Sequence, residues 1–317
     1  MVMVKKIALS IAICLSVLHL MMATVESYDI LESLRLFGPD LPFLVAREEG
    51  HYREFGLKDD FRFVEAKEII EALRQGKEMV GVLPVTLAIS EISRNQSLVI
   101  FAAVFQGWDY SIWARPSINR LQELANEPIA VPVMPRLQSL APYVAFAKIL
   151  ADPKSLKLQP IPSCEIYRAL QRGVVDAMVA TPLLERRTKE LGLKKIYDLS
   201  TLEERIPHTV TVASESYLLK KKEKVKSLIK MLQKSINYAK ESEEHARGLI
   251  RKYYSINDKQ TVDQFYEVYV KRGLDPNVRP TEAMWERLYY PVTMSNLFKL
   301  PTMERLIPEK LFETLFK

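Results

Sequence analysis

The sequence predicts an α/β protein with two lobes, each a mainly parallel sheet flanked by helices. Two segments that start 97 residues apart, 72–84 and 169–182, have nearly the same order of residues. Each is typical of a helix ended by a glycine, followed by a short apolar strand with a proline at its exit. Strand-like and helix-like segments alternate along the chain, and 317 residues exceed one typical domain. Because two such lobes enclose a cleft, we expect a small-molecule site between them.

The first lobe is expected to contain four strands separated by helices. Its apolar runs are short enough for buried strands, and the segments between them have helical periodicity. The expected strands cover residues 34–37, 61–64, 79–83 and 98–105. The expected helices cover residues 41–55, closed by Gly56, then 66–75 and 86–94.

The alternation breaks at residues 106–109, where the chain is expected to cross into the second lobe along a strand at 110–114. A second α/β set follows, and a strand at 209–213 is expected to return to the first lobe. The expected strands of the second lobe cover residues 129–133, 158–161, 177–180 and 195–197, and its helices 140–150, 164–172 and 182–191.

The C-terminal third of the chain has a helical pattern. Residues 216–254 read as a long helical stretch, and further helices are expected after Thr261 and Thr281, before an amphipathic tail at 299–317. The buried face of the long stretch is marked, at helical spacing, by Leu228, Met231, Leu232, Ile236 and Ala239.

The N-terminus has the pattern of a secretory signal. Lys5 and Lys6 precede an apolar run over residues 7–23, and residues 25–27 offer a cleavage site. An earlier cut and an uncleaved membrane anchor are alternatives, although the run is shorter than the roughly 20 residues that a spanning helix prefers. We therefore expect a periplasmic or otherwise extracytoplasmic protein. Its expected parts are a signal peptide (1–27), a first lobe (28–108 and 213–317) and a second lobe (109–212).

Composition and motifs argue against several classes of function. The net charge is +6, but lysines concentrate within residues 220–230, where a solvated helix face explains them better than nucleic-acid binding. Cys14 lies in the expected signal, which leaves Cys164 without a partner for an internal disulfide. The four histidines are scattered, and no metal-binding, nucleophile or phosphate-loop motif is present. We therefore expect no catalysis, no cofactor and no metal site.

Two motifs resemble those of a known protein family. Residues 43–52 read FLVAREEGHY with FGL at 55–57, and residues 169–177 read ALQRGVVDA. The first is similar to the opening helix, and the second to a second-lobe signature, of ABC-importer solute-binding proteins. The branch they resemble is the nitrate, sulfonate/taurine and thiamine-precursor family. The order of elements matches over residues 31–254.

The resemblance implies a type II periplasmic-binding fold that closes around one small molecule. The implied function is that of an extracytoplasmic solute-binding protein, a monomer that delivers its ligand to an ABC permease. One alternative is an enzyme on the same fold, as in thiamine-precursor or menaquinone synthesis. Those enzymes are cytosolic, whereas this chain carries an export signal. The other alternative is a ligand sensor that docks on a membrane receptor, and a neighbouring permease and ATPase gene pair would argue against it.

Ligands in open α/β sheets bind at the carboxyl ends of strands. Applied to the expected strands, this rule selects one set of ligand-binding candidates. They are Phe37, Asp40, Lys67, Thr86, Trp108, Tyr110, Arg136, Ser139, Ser163 and Thr181. Thr86, Ser163 and Thr181 lie where helices are expected to start, so helix capping is an alternative role for them. Lys67 also fits a solvated position.

The strongest candidates have competing structural roles. Arg136 is suited to clamping an anion, but a surface ion pair is an equal alternative. Trp108 and Tyr110 are suited to stacking on a flat ring or to packing the hinge. Asp40 would pair with a ligand amine or cap the helix that follows it, and we favour the cap.

The positions that match the family's anion cradle lack its glycine. They read EAKE at residues 65–68 and MPRLQS at 134–139. Glycine there lets backbone N–H groups hold an anion at a helix N-terminus. Together with Arg136, Trp108 and Tyr110, its absence leads us to expect a small organic ligand with an acidic group and an apolar or aromatic body. A bare inorganic oxyanion does not fit.

Overall fold

The computed structural model describes residues 30–32, 38–133 and 136–317, and their strands form two five-stranded sheets. The first sheet has the order β2-β1-β3-β10-β4 and the second β7-β6-β8-β5-β9. The strands of the first sheet are β1 (Ile30–Glu32), β2 (Arg62–Phe63), β3 (Val80–Pro84), β4 (Leu98–Gln106) and β10 (Pro207–Ser214). Those of the second are β5 (Ser111–Ala114), β6 (Pro128–Pro132), β7 (Lys157–Ile161), β8 (Ala177–Ala180) and β9 (Lys194–Asp198).

Both sheets share one pattern of strand directions. In each, three parallel strands are followed by one antiparallel strand, which is β10 in the first sheet and β5 in the second. A fifth strand, β4 or β9, then pairs with that antiparallel strand. The antiparallel strands are thus β5 and β10, and each is the first strand after the chain passes from one sheet to the other. The sheets are therefore mainly parallel, as predicted, and this topology is that of the type II periplasmic-binding fold.

Helices cover the sheets and dominate the C-terminal third. In the N-terminal and middle parts they are α1 (Leu41–Glu48), α2 (His51–Glu54), α3 (Ala66–Arg74), α4 (Val85–Arg94), α5 (Leu137–Lys148), α6 (Ile166–Arg172) and α7 (Glu185–Glu190). The remaining ones are α8 (Glu215–Lys220), α9 (Lys222–Glu241), α10 (Glu243–Tyr254), α11 (Lys259–Phe265), α12 (Glu282–Ser295), α13 (Met303–Leu306) and α14 (Glu309–Phe316). A π-helix over Tyr266–Gly273 continues α11.

The repeated sequence segments occupy equivalent places in the two sheets. α3 leads into β3, and α6 leads into β8, and each of these strands lies third in its parallel set. Gly173 ends α6 with φ +78°, in the left-handed conformation that glycine adopts without steric cost. The repeat is therefore a true structural repeat, as predicted.

Several predicted boundaries are wrong. The helix expected over residues 41–55 is two helices, because Gly50 has φ +69° and breaks it. The long stretch from residue 216 is three helices, α8, α9 and α10, separated at Lys221 and Ser242. The returning strand β10 begins at Pro207, so the lobe boundary expected at residue 213 falls inside a strand of the first sheet. The signal peptide and the strand expected at 34–37 lie outside the described residues.

The C-terminal helices connect the two sheets. α9 packs on α1 through the face predicted for it, and Met231, Leu232 and Ile236 are fully buried there. α12 packs on α5 beside the second sheet, and the π-helix packs against β4 of the first. One apolar cluster consequently includes residues of both sheets, such as Phe101 and Ile112. No helix among the described residues combines the length and apolar character needed to cross a membrane.

Candidate ligand-binding cleft

A buried polar cluster lies where the chain passes between the sheets. Asp109 and Tyr110 precede β5, His208 lies at the start of β10, and Tyr269 comes from the π-helix. All four are less than one-tenth exposed. The Tyr269 hydroxyl donates to Asp109 Oδ2 at 2.9 Å, and His208 Nε2 lies 3.1 Å from both Asp109 Oδ1 and the Tyr110 hydroxyl. We call these four residues the Asp109 cluster.

The two tyrosines of the Asp109 cluster keep their protons. Burial, reinforced by the charge of Asp109, raises the pKa of Tyr110 and of Tyr269 well above the ordinary value. Both hydroxyls therefore remain protonated donors at neutral pH. The two ring nitrogens of His208 join the same network, with Nε2 3.1 Å from Asp109 Oδ1 and Nδ1 3.1 Å from the Thr209 hydroxyl. The buried Asp109 carboxylate, which precedes β5, thus contacts His208 at the start of β10 and Tyr269 in the π-helix.

Close packing of the π-helix depends on two glycines. A Cβ on Gly273 would overlap the ring of Phe105 in β4, and a Cβ on Gly38 would overlap the ring of Tyr269. The Phe105 ring in turn meets His208 edge-on, with ring centroids 5.0 Å apart. These contacts place Tyr269 within reach of Asp109, so they position the whole cluster.

Asp40 does not cap α1 as predicted. Its backbone has φ −83° and ψ −10°, whereas a capping residue normally adopts an extended conformation. Its Oδ1 instead accepts from the Gly38 N–H at 3.0 Å and from the Tyr254 hydroxyl at 2.5 Å. The fully buried carboxylate thereby fixes the entry into α1 against α10.

Arg136 has no ion-pair partner among the described residues, and its charge acts on a tyrosine at the passage between the sheets. It precedes α5, its side chain is exposed, and no carboxylate of the described residues lies within 4 Å of its guanidinium. Its charge reaches the Tyr110 hydroxyl and lowers the pKa of that group, against the larger effect of burial. The Tyr110 ring also meets the buried Trp108 ring at 6.4 Å between centroids. The structure therefore places Trp108 beside Tyr110, and the charge of Arg136 acts on the Tyr110 hydroxyl.

Ser139 adds an unused hydroxyl in the first turn of α5. Only 2% of the residue is exposed, and its Oγ has no hydrogen-bond partner among the described residues. Buried hydroxyls are normally satisfied, so this one lacks a partner that the described residues do not supply. The neighbouring Gln138 fixes α5 to the second sheet, because its Nε2 donates to the Val179 carbonyl at 2.6 Å.

The remaining candidates are dispersed. Thr86 is buried in the first turn of α4, and Thr181 is half-buried before the turn over Pro182–Leu184. No side-chain capping bond forms at the starts of α4, α6 or that turn, so the capping alternative is not realised for Thr86, Ser163 or Thr181. Lys67 and Ser163 are exposed. Phe37 lies outside the described residues.

Sequence reasoning did not select His208, Tyr254 or Tyr269. Their partners are 99 residues away for His208, 214 for Tyr254 and 160 for Tyr269. The only local signal is a histidine at the start of a strand in which threonines alternate with valines. Across residues 38–133 and 136–317, no three His, Cys, Asp or Glu side chains are grouped so as to hold one metal ion.

Solved structures similar to this chain share its fold at low sequence identity. The Escherichia coli periplasmic aliphatic sulphonate-binding protein SsuA gives a TM-score of 0.65 at 14% identity, over 92% of each chain. The ligand-binding component of an ABC-type import system from Staphylococcus aureus gives 0.65 at 13%, over 90% of this chain and 97% of its own. A Candida albicans protein described as having the generic periplasmic binding protein fold gives 0.62 at 14%, over 90% and 94%.

Sequence comparison identifies the family. No curated protein matches the chain significantly. The family model described as NMT1/THI5-like matches residues 40–246, which is more than half of the chain and includes both motifs on which the resemblance rested. The chain therefore belongs to the NMT1/THI5-like family.

Proposed function

We propose that this protein captures a small organic acid in the cleft between its two sheets, outside the cytoplasm, and delivers it to an ABC permease. The observation that carries the proposal is Arg136, an exposed cation that has no ion-pair partner in the described chain and whose charge acts on the Tyr110 hydroxyl. A guanidinium with free donors is suited to a carboxylate, sulfonate or phosphate ester.

The acidic group of the ligand would bind at the start of α5. Arg136 would supply the charge, and the unpaired Ser139 hydroxyl would supply a further donor one turn later. The missing glycines at residues 65–68 and 134–139 favour side-chain recognition over a cradle of backbone N–H groups. A bare oxyanion would leave Trp108 and Tyr110 unused, whereas a ligand with an apolar or aromatic body would contact their rings.

The mechanism would be closure of two lobes around the ligand. A ligand that contacts both lobes stabilises the closed state by its differential affinity, and no covalent bond changes. The first lobe would comprise β1 to β4, β10 and the C-terminal helices, and the second β5 to β9 with α5 to α7. The Asp109 cluster lies between these two parts. The protein would act as a monomer.

Relatives on the same fold support a binding function. The E. coli neighbour is a periplasmic aliphatic sulphonate-binding protein, and the S. aureus neighbour belongs to an ABC-type import system. An organic anion is also what Arg136 and the two aromatic rings favour in this chain. The ligand class is thus drawn from this chain's own residues, and the transport role from the relatives.

Native mass spectrometry of the protein purified from the cell envelope tests the proposal. We expect one co-purified acid of small mass, released unchanged on unfolding. Trp108→Ala should weaken its binding by about 0.5–1.5 kcal/mol, the scale of an aromatic contact. Release of a chemically altered molecule on incubation would favour an enzyme instead, and tight binding of nitrate or sulfate would contradict the expected ligand class.

Uptake measurements separate transport from sensing. Deletion of the gene should abolish uptake of the identified ligand at low external concentration, and restoring the wild-type gene should recover it. Unchanged uptake together with a lost transcriptional or motility response to the ligand would favour a sensor.

A further inference from the structure

A group of lysines lies at the edge of the first sheet opposite the cleft. Lys77 lies just before β3, and Lys58 lines a small surface pit with Lys224 and with Val80, the first residue of β3. Lys220 forms an ion pair with Glu78, which also precedes β3. We call the exposed lysines Lys58, Lys77, Lys220, Lys221 and Lys222 the lysine edge. It is at the amino ends of β1 and β3, whereas the cleft residues follow carboxyl ends of strands.

The positive charge of the lysine edge is largely uncompensated. Lys220 pairs with Glu78, and Glu223 lies 4.0 Å from Lys226. Within the described ranges, no carboxylate comes within ion-pair distance of the other four members, which are Lys58, Lys77, Lys221 and Lys222. Residues 219–226 contain five lysines and one glutamate, Glu223. The preceding helix α8 has a single acidic residue, Glu215.

The lysine edge also carries an exposed apolar side chain. Leu219, at the end of α8, is 51% exposed next to Lys220 and Lys221. Lysines that surround a protruding leucine are typical of surfaces that lie on lipid headgroups. Nucleic acid would be expected to use exposed aromatic rings as well, but the nearby Tyr217 is buried.

The chain enters the fold at this same edge. Ile30, the first residue of β1, pairs with Val80, the first of β3. The apolar run over residues 7–23 precedes Ile30 by only six residues, 24–29, which span at most about 20 Å when fully extended. Insertion of that run in a membrane, during export or afterwards, would bring the lysine edge to the bilayer surface.

We propose that the lysine edge is a docking surface for a bilayer that contains anionic phospholipids. Each lysine near such a surface contributes roughly a fivefold increase in binding, and the effect falls off with salt. In this orientation the cleft opens away from the bilayer and takes up solute there, and the protein must leave the lipid surface before it delivers the ligand to a permease. The proposal rests on the charge and position of this edge and is independent of the ligand.

Vesicle co-sedimentation tests the proposal, with the protein as isolated from exporting cells. The probes are phosphatidylcholine vesicles with and without 30% phosphatidylglycerol, a composition on the order of that of an anionic membrane. The variant Lys221→Glu/Lys222→Glu should bind the anionic vesicles at least roughly tenfold more weakly than the wild type. The control Lys154→Glu/Lys157→Glu makes the same charge change at two exposed lysines, one before β7 and one at its first residue, and its binding should change less than about twofold.

Several results would overturn the proposal. Equal binding to vesicles with and without phosphatidylglycerol would exclude recognition of anionic lipid. Equal weakening in the two double variants would mean that only net charge matters. Retention on DNA or heparin without binding to vesicles would indicate a soluble polyanion as the partner. Circular dichroism would confirm that both variants, changed only at exposed positions, remain folded.

Discussion

Replacement of Tyr269 by phenylalanine should destabilise the protein through Asp109. Tyr269 is 1% exposed, and its hydroxyl donates to the Asp109 carboxylate at 2.9 Å. The substitution removes one oxygen and keeps the ring, which packs on Phe265 and Phe105. A hydrogen bond to a charged group contributes about 1.5–3 kcal/mol, and the Asp109 carboxylate is buried from the bulk solvent that would otherwise replace it. We therefore expect the free energy of unfolding to fall by about 1.5–3 kcal/mol.

Tyr266 provides a matched control in the same π-helix. It is fully buried, but its hydroxyl donates to the backbone carbonyls of Ala239 and Lys240 at 3.3 and 3.2 Å. These bonds are long and uncharged, so Tyr266→Phe should cost only about 0.5–1.5 kcal/mol. Urea unfolding of both variants gives the two free energies, provided that the m-values match. Equal losses, or no loss in Tyr269→Phe, would refute the view that Asp109 holds the π-helix to the two passages of the chain.

Three further predictions concern packing, pH and processing. Gly273→Ala should destabilise the protein by about 1–3 kcal/mol because its Cβ would overlap the Phe105 ring, whereas Gly248→Ala in α10 meets no atom within 4 Å and should be neutral or stabilising; equal thermal shifts would contradict this. Burial and the hydrogen bond to Glu48 raise the pKa of Tyr253 to about 12, so its contribution to stability is complete below pH 10 and is lost as the pH rises toward 12. Tyr253→Phe should therefore flatten the loss of stability above pH 10, and an unchanged slope would count against it. N-terminal sequencing of protein from the cell envelope should begin near Tyr28, and an intact Met1 in a cytosolic form would exclude a cleaved signal.

Local patterns in the sequence predicted most of the fold. The helix–glycine–strand repeat located β3 and β8, and the loss of rhythm at residues 106–109 located the first passage between the sheets. Both features depend on neighbours in sequence. The break between α1 and α2 was missed because a glycine inside an apolar helical pattern does not reveal that its φ is positive.

The candidate site was predicted only in part, for reasons of distance along the chain. The rule that ligands bind at strand ends selected Tyr110 and Arg136, and in the structure the charge of Arg136 acts on the Tyr110 hydroxyl. It did not reveal that Asp109 would be bonded by Tyr269, because the π-helix reaches β4 only through tertiary packing against Phe105. Asp40 was assigned the local role of a cap, whereas a tyrosine 214 residues away is its partner.

The central claim is that Arg136 binds the acidic group of an organic ligand. Isothermal titration of Arg136→Ala with the co-purified ligand tests it most directly, with Arg120→Ala as the control because Arg120 is exposed and pairs with Glu123 on the surface. We expect Arg136→Ala to weaken binding by about 1.5–3 kcal/mol, roughly 10- to 150-fold, and Arg120→Ala to leave it unchanged. Equal affinity in wild type and Arg136→Ala would show that this arginine is only a surface residue and would contradict the proposed mode of binding.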